Sequence, residues 1–195
     1  MTPAQTDGAA PYSLSDHEIV RVAQELIAEV GVEGLTMRRL SARLGVALGA
    51  TYHHVPTKHD LLALVARDLY RQVTLPPPEV DAWDVWLKTV MVNLAELVTS
   101  YPGMSGFMID HIDDAMPLDL NEAMARVLRE AGFRPRSIGS VMAALYFFVG
   151  GIATGALSAS SSRALQGVDV QTLFEDGLDL LLAGARERLI EDRRA

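Results

Sequence analysis

The chain has 195 residues, about half of them apolar, enough to bury a core as one large domain or two small ones. With no cysteine, disulfides, thiolate zinc sites and a cysteine nucleophile are excluded together, and the composition fits a reducing cytoplasm. A formal net charge of −8 weighs against nucleic acid until its distribution is counted: residues 1–75 hold seven Lys/Arg against eight Asp/Glu, a net −1, leaving ten against seventeen, a net −7, for residues 76–195.

The opening MTPAQTDGAAPY has neither a basic cluster nor an apolar run of signal-peptide length, so secretion is not expected and residues 1–14 read as a disordered arm. Ser15-Asp16-His17-Glu18 has the form of a capping box. Behind it Ile19, Ala23, Leu26, Ile27 and Val30 recur at helical spacing, which predicts a first helix from about Asp16 to Val30, stopped at Gly31. Thr36 can cap a short second helix over 37–44, with Met37, Leu40 and Leu44 on one stripe and Arg38, Arg39 and Arg43 elsewhere. Gly45 closes it, a third short helix spans roughly Leu48 to His54, and Pro56 ends that one. Thr57-x-x-Asp60 then opens a fourth helix carrying Leu61, Leu62, Leu64, Val65 and Leu69. Short helix, glycine turn, short helix is the helix-turn-helix pattern, which lays its second helix in the major groove of double-stranded DNA. The same stretch, 34–59, contains Arg38, Arg39, Arg43 and Lys58 and no carboxylate, a local +4 in an acidic chain.

With these features in place, GVEGLTMRRLSARLGVALGATYHHVPTKHDLL, residues 31–62, resembles the DNA-binding region of the TetR-type repressors. The likeness lies in Leu-Thr before a basic helix, Leu-Gly-Val at the turn, a tyrosine before a histidine-rich step, and Lys ahead of Leu-Leu, and it covers about a sixth of the chain. One departure bears on specificity: Ala47-Leu48-Gly49-Ala50, the start of the recognition helix, has no hydrogen-bonding side chain, where many members carry Gln, Ser, Thr or Lys. Arg38 is then the candidate for a bidentate contact to guanine, while Leu48 and Ala50 can pack on thymine methyls. Thr36, Arg39, Arg43, Thr51, Tyr52, His53, His54 and Lys58 are expected as backbone contacts or scaffold. For Tyr52 core packing stays an equal alternative. Thr57-Lys58 sets a cation and open amides at a helix start, where phosphate binds well.

TLPPPEV, with three consecutive prolines, marks a boundary near residue 75. Beyond it the pattern predicts helices over about 82–100, 103–109, 118–131, 135–160 and 170–192, with a brief SASSSR loop before the last. The expected fold is all-α: a helix-turn-helix domain over 15–57, a connecting helix over 58–75, and a ligand-binding and dimerisation domain over 76–195. Residues 137–162 carry no charge and are long enough to span a bilayer, with Gly151-x-x-x-Gly155 inside, so a single-span membrane protein is a rival reading. Against it stand Arg134, Arg136 and Arg163 at the ends and an amphipathic last helix able to cover the run. The resemblance implies that these two helices form a four-helix homodimer interface.

Trp83, Trp86, Met104, Phe107 and Met108, with Tyr146 and Phe147, offer the aromatic and flexible surface that lines small-molecule pockets, and Asn93 can orient a ligand. Asp110-His111-x-Asp113-Asp114 suggests metal but reads as solvated loop charge. The resemblance implies a magnesium-drug chelate held partly by histidines in the tetracycline repressors; aligning Ala-Gly-Phe at 131–133 puts Phe147 at one such position, so no metal is expected. Phosphate loops, nucleophile elbows and His-Glu-x-x-His pairs are lacking, so no enzyme and no cofactor is expected. The expectation is a cytoplasmic, homodimeric repressor released from a palindromic operator by a small hydrophobic effector. A constitutive DNA-binding protein without effector is the alternative.

Overall fold

The computed structural model describes residues 15–77, 82–111, 118–158 and 169–194, with side chains omitted for 154–158 and 170. The arm over 1–14, the end of TLPPPEV, Asp113 with Asp114, and nearly all of SASSSR lie outside the described residues. Among those described, every regular element is an α-helix: α1 Asp16–Gly34, α2 Met37–Leu44, α3 Leu48–His54, α4 Lys58–Gln72, α5 Trp83–Thr99, α6 Met104–Asp110, α7 Leu118–Ala131, α8 Pro135–Ser158 and α9 Val170–Arg194.

The head, α1 to α4, forms where its caps say it should. Ser15 Oγ accepts from the Glu18 amide at 3.2 Å, Thr36 Oγ1 from the Arg39 amide at 3.1 Å, and Thr57 Oγ1 from the Asp60 amide at 3.0 Å. Gly45 closes α2 in the left-handed conformation, φ 71° and ψ 25°, and its amide donates to Ala42 O while Val46 donates to Ser41 O. Ile19, Ala23, Ile27, Leu40, Leu61 and Val65 are fully buried where α1, α2 and α4 meet. The predicted stop at Gly31 is a break within α1: Gly31 sits at φ 70°, ψ 172°, and one further turn runs to Gly34.

In the body α8 is central and packs on α5, α6, α7 and α9. Its first turn is held by α9, because Asp192 accepts from the Arg134 amide at 2.9 Å and from Ser137 Oγ at 3.0 Å. These bonds hold the Asp192 carboxyl below the usual carboxylate range. Ile138, Met142, Leu145, Tyr146, Val149 and Ala153 bury one face of α8, which accounts for much of its uncharged sequence. By length and composition Pro135–Ala153 is long and apolar enough to cross a membrane, and 44% of it is buried against the rest of the chain. The opposite face is open: Phe147 is 61% exposed and Leu180, on α9, 75%.

Candidate nucleic-acid interface and effector cavity

The turn between α2 and α3 places Leu48, Gly49, Ala50 and Tyr52 outward; Leu48 is 37% and Tyr52 45% exposed, so Tyr52 is a surface side chain and not core. What holds this face from beneath is a hydroxyl pair. Ser41 Oγ donates to Met37 O at 2.8 Å, so Thr51 Oγ1, 2.7 Å away, donates to Ser41. Both residues are buried, Thr51 completely. Thr51, expected as a backbone contact or as scaffold, is the internal lock of α2 on α3, and its partner Ser41 was not anticipated. Thr36 likewise spends its hydroxyl on the α2 cap.

The cations divide in the same way. Arg38 is exposed on α2, and among the described residues no hydrogen bond or ion pair holds its guanidinium. Arg39 donates to the Gly34 carbonyl at 2.8 Å and braces the end of α1. Arg43 makes a two-pronged bond to Glu29 of α1 at 2.9 and 2.7 Å. That bond holds the Glu29 carboxyl below its ordinary range and raises the guanidinium. The stretch free of carboxylates in sequence thus receives one from α1 in space. His54 faces Asp16 at 3.1 Å, tying α3 to the start of α1, while His53 is exposed with its ring edge on His54. Lys58, expected at a phosphate, is half-buried and donates to the Val32 carbonyl at 2.7 Å.

Val32 is gripped on both sides. Its amide donates to Pro102 O, in the turn between α5 and α6, at 2.9 Å, while its carbonyl takes Lys58 at the start of α4. Gly31, φ 70°, and Gly103, φ 87°, make the approach possible; a Cβ on either would press on Pro102 or Val32. Residue 32 therefore joins the head to the turn from which α6 departs.

Just beyond that turn lies a small, partly open cavity of about 30 Å³. Leu94 and Val98 of α5, Met108 and Ile109 of α6, and Val149 of α8 give it apolar walls. Three hydroxyl-bearing residues complete it: Tyr70 of α4, Ser105 of α6 and Tyr146 of α8. Tyr146 donates to Met124 Sδ at 2.9 Å. Burial pushes the Tyr70 phenol up to about 12 and the Tyr146 phenol higher still, with the proximity of Tyr70 adding to the latter. Ile109 lies against Gly150, where any Cβ would overlap it, so α6 closes tightly over α8.

Of the eight residues expected around a ligand, Met108 and Tyr146 line this cavity. The others are placed elsewhere. Trp86 is core, its indole donating to Pro76 O at 2.8 Å, and Met104 is fully buried. Trp83 packs edge-on against Phe133. Asn93 donates to Thr74 O, outside the cavity. Phe107 stacks on His111 with His59 beside both, at the seam of α4 and α6, and Phe147 faces outward on α8. Composition flagged the right helices but not the right faces, and Tyr70, on the buried side of α4, carried no mark beyond its place in a helical stripe. Among the described residues no three His, Asp or Glu side chains converge as a metal site would require.

Residues 19–65 match the family model for bacterial regulatory proteins of the tetR family. The class C tetracycline repressor protein of Escherichia coli is 31% identical over 142 residues, 71% of this chain and 65% of that repressor, so the chain spans just under two thirds of its relative. Among solved structures, a variant of TetR from Acinetobacter baumannii in complex with minocycline is 27% identical over 89% of this chain and 97% of its own, with a TM-score of 0.76. Apo ActR of Streptomyces coelicolor, 23% identical, shares the fold over 93% of this chain and 99% of its own at a TM-score of 0.82.

Proposed function

The chain belongs to the TetR family of bacterial regulatory proteins, and on that premise we propose that it is a homodimeric repressor that leaves its DNA operator when a small, largely apolar molecule enters the cavity between α4, α5, α6 and α8. The observation that carries this reading is the coexistence of an outward helix-turn-helix face with a small apolar cavity whose α6 wall begins at the Val32 junction. A ligand that displaces α6 acts on Pro102 and through it on the end of α1, which carries the head. Two heads dock in successive major grooves about 34–36 Å apart, so a shift of a few ångströms spoils both contacts together.

Dimerisation is supported by the open face of α8 and α9. Ala144, Phe147 and Gly151 of α8 and Leu180 and Gly184 of α9 are all exposed, and an apolar groove runs between the two helices. One patch meeting its own copy across a two-fold axis forms a four-helix interface, and a two-fold protein asks for a palindromic operator. On this reading α8 covers its apolar side with a second subunit and not with lipid. The protein works in the cytoplasm, where DNA is, and it needs neither a cofactor nor a catalytic step. Within the head, Arg38 reads a guanine while Leu48 and Ala50 pack on thymine methyls.

The cavity walls named above carry no imidazole and no carboxylate, so a metal-drug chelate finds no ligand there, and the effector binds without metal. A constitutive DNA-binding protein is favoured by one observation, the volume of about 30 Å³, far below the roughly 300–1,000 Å³ of drug-sized pockets. Selection of sites from a random DNA library, with sedimentation of the complex, tests the first reading. A palindrome bound by two chains is expected, and a single chain binding without sequence preference would sink it. Small molecules that both raise the melting temperature and release that palindrome separate a switch from a constitutive binder.

A further inference from the structure

We propose that the cavity recognises a neutral, largely apolar molecule by an oxygen acceptor, such as an aromatic ketone, seated against the hydroxyls of Tyr146 and Tyr70. The inference rests on the effector reading above and names its ligand class. Three features of the wall lead to it. None of the lining residues is charged, so an anion or cation entering would lose its hydration without a partner. The other lining residues that bear polar groups, Tyr70, Ser105 and Tyr146, each carry a hydroxyl and come from three different helices. Finally, Tyr146 spends its proton on Met124 Sδ, and a thioether is a weak acceptor. A carbonyl oxygen offered from the cavity is a better partner for the same proton, so exchange of sulfur for oxygen favours an acceptor-bearing ligand over a hydrocarbon of equal size.

Burial reinforces this choice. Both phenols stay protonated at any cellular pH, because desolvation holds Tyr70 up to about 12 and Tyr146 higher, so they remain donors. The cavity itself holds space for one or two waters, and Ile109 lies against Gly150 on its wall, so a ring can enter only if a wall side chain such as Ile109 gives way. Ligand uptake therefore moves Ile109, and with it the seven-residue α6 that starts one residue after Gly103 and two after Pro102. The group that selects the ligand and the group that yields to it sit on different walls: Tyr146 on α8 and Ile109 on α6.

Three naphthalenes of nearly equal shape test the class on the intact protein by titration calorimetry: 2-acetonaphthone, with a neutral acceptor; 2-ethylnaphthalene, with none; and 2-naphthoate, with a charge. In the wild type the ketone is expected to bind roughly tenfold tighter than the hydrocarbon, the effect of one net hydrogen bond, and the carboxylate at least about a hundredfold weaker than the ketone. Tyr146→Phe should erase the preference for the ketone and leave 2-ethylnaphthalene unchanged. Ile109→Ala, which removes the plug, should tighten both neutral probes. Equal binding of ketone and hydrocarbon, or binding of the carboxylate as tight as the ketone, overturns the ligand class while the cavity stands. Failure of all three to bind the wild type and Ile109→Ala overturns the effector reading and the proposal with it.

Discussion

In the head, Leu48, Ala50 and Tyr52 reach solvent because the Ser41 and Thr51 hydroxyls fasten α2 to α3 beneath them, over a span of ten residues. Where the body meets α4 of the head, Tyr70, Ser105 and Tyr146 are buried on one cavity because α6 packs on both α4 and α8 there. The head presents small or apolar side chains on a rigid, locally fastened support, while the body keeps its polar groups inside and the short helix α6 as a wall. Recognition of a fixed partner suits the first arrangement, since DNA selects among surfaces already formed. Response to a ligand suits the second, since filling the cavity has to displace something.

The largest test of this contrast concerns what joins two heads. Leu180 is open and Leu178, two positions earlier on α9, is fully buried. Leu180→Asp should leave a folded monomer and reduce operator binding by about a hundredfold or more, because an unpaired charge in a dimer interface costs several kcal/mol and one head alone binds weakly. Leu178→Asp should unfold the chain. Sedimentation and circular dichroism distinguish the two, and a dimeric Leu180→Asp would remove α8 and α9 from the interface.

Within the head, surface and support should separate cleanly. Ser41→Ala leaves the buried Thr51 hydroxyl without its partner and should cost about 1–3 kcal/mol in chemical denaturation, with the preferred DNA site unaltered. Arg38→Ala should do the reverse, losing roughly 1–3 kcal/mol per half-site and relaxing one guanine position at unchanged stability. Site selection on both variants checks the pair. An unaltered preference in Arg38→Ala would move guanine reading elsewhere.

Lys58 sharpens the comparison at the junction between the regions. A phosphate contact would lower the slope of log K against log salt by about one on removal. Since its ammonium serves the Val32 carbonyl, Lys58→Met is expected to keep that slope and to weaken release of DNA by effector. A slope reduced by one would restore the phosphate role.

The smallest expected effect lies at Glu29. Glu29→Gln frees the Arg43 guanidinium and should steepen the salt dependence of DNA binding by about one. The pair also carries a sign in pH. The folded Glu29 carboxyl is lowered relative to its unfolded value, so its contribution to stability is full above the ordinary glutamate range and fades as pH falls through the lowered one. Acid titration of wild type and Glu29→Gln should therefore converge at low pH. Both groups are exposed, and a large stability difference near neutral pH would contradict this picture.

Much of this molecule was legible in the order of its residues. The caps at Ser15, Thr36 and Thr57 and the glycine stop at Gly45 act within five residues, so local rules placed the head helices and their turn closely, α1 alone running on past its predicted stop. The periodicity of α5 to α9, and the two-sided apolar character of α8, came from the same source. What the sequence determined by itself is therefore the helices, the helix-turn-helix, and the outward placement of Leu48, Ala50 and Arg38. Only the tertiary structure decided which charges and hydroxyls remain available. Arg43 meets Glu29 across 14 positions, Lys58 meets Val32 across 26, and Asp192 caps α8 across 58. The cavity is decided in the same way, since Tyr70, Ser105 and Tyr146 each lie on an ordinary buried stripe of their own helix. Helical periodicity tells a buried face from an exposed one, but which buried side chains meet, and which leave a gap between them, is set by how several helices pack.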